Sequence, residues 1–405
     1  MRDRDKFIVV SFSTVLALVL LIGALLGQDR DSSTEPYRPL SVLSEVLARI
    51  QSDYVEDANF DRVTEGALHG LIESLDPYSS YLSAEEYRNY QRRDQGEGSL
   101  GMVVSKRFGF VTVVSTVPNG PADRAGLQAS DVIESMNGKS TREMSIAEVT
   151  GQLAGAPGTT ITVAVVRERS GEPRPFELRR EVVPPPDVTG RIVAPGIGYL
   201  QIRALPAGET QKISARIQEL RRDGAAKFIL DLRDNASGEM EEGVATANLF
   251  LRRGLIGYLS GQQHPREDFL AEASKAVADE PVAVLVNNST GGAAEVVASA
   301  ILESHRGDVV GERTFGIGSV QKIIPLDDGS ALLLSVAKYY SPSGKQIQET
   351  GVTPNIEVEQ ERELVPLPEP GQAAPRPQTA PDPSQDAPLR RAIDVLSGAS
   401  QPQAA

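Results

Sequence analysis

Residues 282–303 read VAVLVNNSTGGAAEVVASAILE. A five-residue apolar run, Val282–Val286, meets a polar turn with two glycines, and an apolar-rich segment then runs from Ala293 to Glu303. An apolar run without alternation suits a strand buried on both faces, and a helix starting after the turn would cover one of them. The same alternation recurs upstream. Phe228–Leu232 reads as a second strand. A helix with Ile213, Ile217 and Leu220 on one face, ended by Gly224, precedes it, and strand Gly198–Ile202 comes before that. A further helix is expected around Val244–Leu251. Apolar strands alternating with amphipathic helices imply a layered α/β domain, assigned to residues 187–360.

Outward from this core the pattern changes twice. Residues 96–183 carry short β runs broken by turns such as Pro118-Asn119-Gly120 and Asn137-Gly138, and Pro184-Pro185-Pro186 forms a stiff boundary. Residues 40–95 are helical: Leu43, Val46, Leu47 and Ile50 fall on one face, and a second helix with Val63, Ala67 and Leu71 stops before Pro77. The first 28 residues contain an uncharged run, Phe7–Gly27, behind Arg2, Arg4 and Lys6. About 20 apolar residues span a bilayer, so this segment reads as an uncleaved anchor rather than a cleaved signal peptide. That places the remainder outside a bacterial inner membrane, in the periplasm or an equivalent extracytoplasmic space. Eight of the 27 prolines fall between Pro366 and Pro388. Residues 361–405 therefore read as an extended tail, with one short helix at Leu389–Leu396.

Composition narrows the chemistry. The chain has no cysteine and three histidines, which removes thiolate sites and histidine-rich metal centres; no metal and no cofactor are expected. Its 41 basic and 55 acidic side chains give a net charge of −14, the wrong sign for nucleic acid. Any catalysis would run on Ser, Thr, Lys or carboxylates.

Several stretches, in order, resemble the carboxyl-terminal processing peptidases, also called tail-specific proteases. Leu75-Asp76-Pro77-Tyr78-Ser79-Ser80-Tyr81-Leu82 is similar to the family's L-D-P-H-S-S-Y-L. Gly120-Pro121-Ala122-Asp123-Arg124-Ala125-Gly126-Leu127 is similar to its PDZ segment S-P-A-x-x-A-G-L, and Asp231-Leu232-Arg233-Asp234-Asn235 to D-L-R-x-N. Phe315-Gly316-Ile317-Gly318-Ser319-Val320-Gln321 is similar to F-G-K-G-S-V-Q, and Asp328-Gly329-Ser330 and Tyr339-Tyr340-Ser341-Pro342-Ser343-Gly344 match the closing strands. The resemblance spans Ser41 to about Val358. It implies a multidomain α/β fold: a helical arm, a PDZ-like β module and a crotonase-like layered core.

The resemblance also says where the chemistry should stand. The family's serine is the third residue of S-A-S-A-S-E, and a desolvated neutral lysine 25 residues later acts as its base. Here the first motif reads Thr290-Gly291-Gly292-Ala293-Ala294-Glu295, so the nucleophile position is Gly292 and the base position is Ile317. Neither side chain can do the work. The third member, Gln321, is present. The family's N-P-G-G turn, expected to help hold an oxyanion, is Asn235-Ala236-Ser237-Gly238, and serine at 237 disfavours a positive φ. Ser289, Thr290, Ser319 and Lys322 are the nearby substitutes. Ser289 reads best as a turn or cap hydroxyl, and Lys322 as pointing to the opposite strand face. In the PDZ-like module, Leu100-Gly101-Met102 matches the carboxylate-binding turn and Met102–Ser105, including Val103, would receive the peptide as an added strand. The family's P-G-D in the adjacent turn is Gln128-Ala129-Ser130-Asp131 here, without the glycine.

The resulting expectation is a membrane-anchored pseudoprotease that binds C-terminal peptide tails, or pairs with an active relative or a second copy. The alternatives are a serine endopeptidase with a rewired nucleophile and a purely structural homo-oligomeric scaffold.

Overall fold

The computed structural model describes residues 38–93, 98–107, 109–167, 172–360 and 385–398. The anchor run Phe7–Gly27 and the proline-rich stretch 361–384 lie outside these. Among the described residues no helix is long and apolar enough to cross a membrane.

The chain divides into two units at Ala67. The first holds helix α1 (Arg38–Asp53) and the start of α2 (Phe60–Glu73), the two helices expected from periodicity. The second unit holds strand β1 (Ser80–Leu82), helix α3 (Ala84–Arg93) and everything after them.

The PDZ-like module is an antiparallel sheet in the order β2 (Met102–Arg107), β3 (Phe110–Thr116), β4 (Val132–Met136), β5 (Thr160–Val166) and β6 (Arg174–Arg179). Helix α4 (Ile146–Leu153) packs on it, held at its start by Ser145, whose hydroxyl accepts from the Glu148 amide. Its core joins Leu100, Val111, Val113, Ile133, Val149 and Val163, all essentially buried.

The central sheet runs β7 (Thr189–Ala194), β8 (Ile197–Gln201), β9 (Lys227–Asp231), β12 (Val282–Val286), β13 (Gly307–Gly311), β16 (Ile356–Glu357); from β8 onward all pairings are parallel. Helices α5 (Glu209–Arg222), α6 (Met240–Asn248) and α7 (Ala293–Glu303) accompany it. Strand β12 shows why the run at 282–286 lacks alternation. Val282, Val284 and Val286 enter the cluster shared with α5 and α7, while Ala283 and Leu285 enter a second cluster on the opposite face. That second face is covered by the last helix, α8 (Ala387–Ser397), through Leu389, Ala392 and Leu396. The terminal helix, expected within an extended tail, is a layer of the core, because a parallel sheet needs cover on both sides.

Helix α6 begins four residues earlier than expected. Glu242 in its first turn accepts the amides of Gly208 at 2.8 Å and Thr210 at 2.9 Å, which ties it to the start of α5. A third sheet was not foreseen. Strand β15 (Ala331–Tyr340) pairs with β1, β10 (Leu255–Ser260) and β14 (Ser319–Pro325), and β10 with β11 (Glu267–Leu270). It joins residues from both ends of the chain, with Ser80 opposite Leu333.

Candidate functional site

Three loops leave the carboxyl ends of three parallel strands and converge, the usual place for a site in a sheet of this kind. Residues 232–239 follow β9, residues 287–292 follow β12, and residues 312–318 follow β13. Backbone bonds stitch them together. The Gly291 amide donates to the Asn235 carbonyl at 2.8 Å, and the Phe315 amide to the Thr290 carbonyl at 2.8 Å. Asn287 adds a second link: its side chain accepts from the Asp234 amide at 3.0 Å and donates to the Asp234 carboxylate at 2.8 Å.

The two positions singled out by sequence are neighbours in space. Gly292 caps α7 with φ 62° and ψ −127°, a conformation most side chains avoid. A methyl group added there would meet nothing nearer than the Ala236 carbonyl oxygen at 4.0 Å. Space for a side chain is therefore present. Ile317 lies alongside: its Cδ1 would be 3.0 Å from a methyl group on Gly291, with Ala236 Cβ 3.3 Å away. Apolar carbon thus fills the base position.

Glu295, one turn into α7, holds this frame. It is fully buried and accepts from the amides of Gly292 (2.9 Å), Gly316 (2.8 Å) and Ile317 (2.8 Å) and from the Thr314 hydroxyl. One carboxylate thereby spans the nucleophile turn and the base loop. Burial pushes its pKa up to about 7, although these four donors favour the charged form. Its letter stood in the S-A-S-A-S-E comparison, but only the fold gives it this task.

Three nearby hydroxyls take part in other hydrogen bonds. Ser289 donates to the Asn288 side chain at 3.2 Å. Thr290 donates to the Leu232 carbonyl at 2.9 Å. Ser319 accepts from Gln321 Nε2 at 2.7 Å. A β-bulge sits between Val320 and Gln321, and Lys322 is exposed. In the loop after β9, Ser237 is not among the residues with positive φ, so serine is no obstacle there. Gly238 is the constrained position. A methyl group on it would fall 2.3 Å from the Leu205 carbonyl oxygen, to which the neighbouring Glu239 amide is bonded.

The turn and strand read as peptide-binding are also placed. Gly101 turns with φ 67°, its amide bonded to Ser99 Oγ at 3.2 Å, and β2 pairs only with β3, so among the described residues its other edge is open. A bulge between Val103 and Val104 turns Val104, rather than Val103, toward a cavity of about 550 Å³. Ile146, Ala147 and Thr150 of α4 line it, together with Gln321 and Ile323 of β14. Three successive residues of β2 bind the module to residues outside it. Tyr78 and Ser105 share a hydroxyl bond at 2.9 Å, Lys106 pairs with Glu73 at 3.0 Å, and Arg107 stacks on Phe315 at 3.9 Å and donates to its carbonyl.

With this geometry in view, comparison with known proteins is decisive. The chain is 33% identical over 339 residues to a carboxy-terminal-processing protease of Bartonella bacilliformis, covering 82% of this chain and 77% of that one. It belongs to the carboxyl-terminal processing protease family. Residues 196–358 match the model of peptidase family S41, residues 112–167 a PDZ domain, and residues 24–86 the N-terminal domain of the activating protease CtpB. Identity is 32% to carboxy-terminal processing protease CtpA of Bacillus subtilis, over 88% of this chain and 78% of that one. Among solved structures, a photosystem II D1 C-terminal processing protease aligns with a TM-score of 0.66 at 28% identity, covering 80% of this chain and 88% of the other. By the motif resemblance, Gly292 and Ile317 stand where a serine and a lysine are expected.

Proposed function

We propose that this family member binds C-terminal peptide tails without cutting them. One observation carries the reading: Gly292 and Ile317, whose amides share Glu295 Oε2, offer neither a nucleophile nor a base, and Ser289, Thr290 and Ser319 each take part in another hydrogen bond. Peptide hydrolysis by this route needs a nucleophile and a base acting as a unit, and losing either typically lowers turnover by about 10⁶-fold. The open edge of β2 and the apolar wall of α4 support tail binding by strand addition. The run Phe7–Gly27 supports anchoring in a bacterial inner membrane with the remainder extracytoplasmic.

Purified full-length protein in detergent, mixed with an unstructured protein bearing an apolar C-terminal tail, is the test. The expected result is saturable binding, an intact substrate and no labelling by a fluorophosphonate. Cleavage abolished by Ser289→Ala would establish the rewired-nucleophile alternative. Self-association without any tail binding would favour the scaffold.

A further inference from the structure

Helix α8 does more than cover the sheet. Beneath its first turn lies a buried polar cluster of Tyr199, Asp231 and Arg233, each no more than 4% exposed. Arg233 binds Asp231 in a fork, Nε to Oδ1 at 2.9 Å and Nη2 to Oδ2 at 2.6 Å. The fork is enough to neutralise the guanidinium. A second carboxylate nevertheless arrives from 153 residues away: Arg233 Nη1 donates to Asp386 Oδ1 at 2.9 Å, and Nη2 to Asp386 Oδ2 at 2.8 Å. Asp386 also caps α8, its Oδ1 accepting from the Leu389 amide at 3.0 Å. One side chain thus joins the seating of the last helix to the orientation of Arg233.

Arg233 is covalently continuous with the wall of the candidate cleft. The next residue, Asp234, has φ 58° and is held by Asn287, and the Asn235 carbonyl receives the Gly291 amide. Arg203 completes the clasp by donating to both the Arg233 carbonyl and the Asp234 carboxylate. Two residues of chain separate a contact made by α8 from a contact made by the nucleophile turn.

We propose that α8 is a strap that sets the cleft wall, and that Asp386 is the positioning residue through which it acts. With the strap seated, Arg233 is clamped on two sides and residues 234–238 are held against the turn 287–292. With it lifted, Arg233 Nη1 loses its partner, water reaches Asp231, and the wall loosens while the strands beneath persist. The inference is independent of tail binding, since the PDZ-like groove is built from other residues.

Hydrogen exchange on the full-length chain tests it with three variants. Asp386→Ala removes both the cap and the pairing; Asp386→Ser keeps a good helix cap but cannot reach the guanidinium with a carboxylate. Leu389→Ala weakens seating without touching Asp386. All three are expected to speed exchange in peptides covering 232–240 and 287–292 by about tenfold or more, with 160–166 and 213–220 unchanged. The serine variant should keep α8 itself protected. Wild-type exchange at 232–240 in the serine variant would overturn the proposal. So would acceleration spread evenly over the molecule, which would mark a purely structural contact. Tail affinity, measured on the same samples by fluorescence anisotropy, is expected to be unchanged; if the proteins bind no tail, the binding reading fails while the exchange result still decides this one.

Discussion

Two turns of this molecule carry opposite substitutions at the same kind of backbone. At 292 a glycine stands where the family motif has a serine; at 130 a serine stands where the motif has a glycine. Both residues have positive φ, 62° and 74°. In the first turn there is no side chain and the geometry is held, because Glu295 and Asn287 grip the flanking amides. In the second the residue suited to the geometry is gone, yet the turn persists. Asp131, 1% exposed, accepts the Gln128 amide at 2.7 Å and pairs with Arg167 at 2.6 Å. The backbone is set by buried carboxylates beside each turn rather than by the residue at its apex.

Restoring the missing side chains presses hardest on this view. The double variant Gly292→Ser/Ile317→Lys is expected to hydrolyse an unstructured tail about 10³-fold above the wild-type background, while each single variant stays at background, because the two groups work only together. Scissile-bond cleavage followed by mass spectrometry reads it. If the double variant folds and stays inert, the frame at 292 is not the intact one described here.

The carboxylate that holds the first turn gives the next effect. Burial raises the Glu295 pKa from 4.5 to about 7. A raised acid stabilises the fold fully below about pH 4.5 and loses that contribution as the pH climbs through 7. Wild-type stability relative to Glu295→Gln should therefore fall across this window, by about 1–3 kcal/mol. Urea unfolding of both proteins at pH 5 and pH 8 measures it. A difference that rises with pH would mean that the four donors outweigh burial.

The second turn offers the smallest change. Ser130→Gly relieves a left-handed serine and should stabilise the PDZ-like module by about 1 kcal/mol, read as a rise in unfolding midpoint with no change in tail affinity. A loss of stability would show that the Ser130 side chain contributes something the backbone does not.

Much of the core was legible along the chain. Val282–Val286 and Ala293–Glu303 coincide with the strand and helix read from their letters, because unbroken apolar runs and glycine-marked turns are local signals. The positions of Gly292 and Ile317 were also reached by counting along motifs. The third sheet was not, since its register joins Ser80 to Leu333 and no local pattern encodes such a pairing. Helix α8 was visible as a helix; its docking was not, because amphipathicity names a buried face without naming what buries it.

The chain alone therefore determined which side chains are available for chemistry, and that Gly292 and Ile317 offer neither a hydroxyl nor an amine. Identity is local and needs no fold. Only the tertiary structure decided that the amides of those two positions share Glu295 Oε2, which ties their loops together, and that Asp386 closes on Arg233 from 153 residues away. Contacts of that kind arise when sheets and helices pack, and hydrogen bonds between distant residues leave no period in the sequence to read.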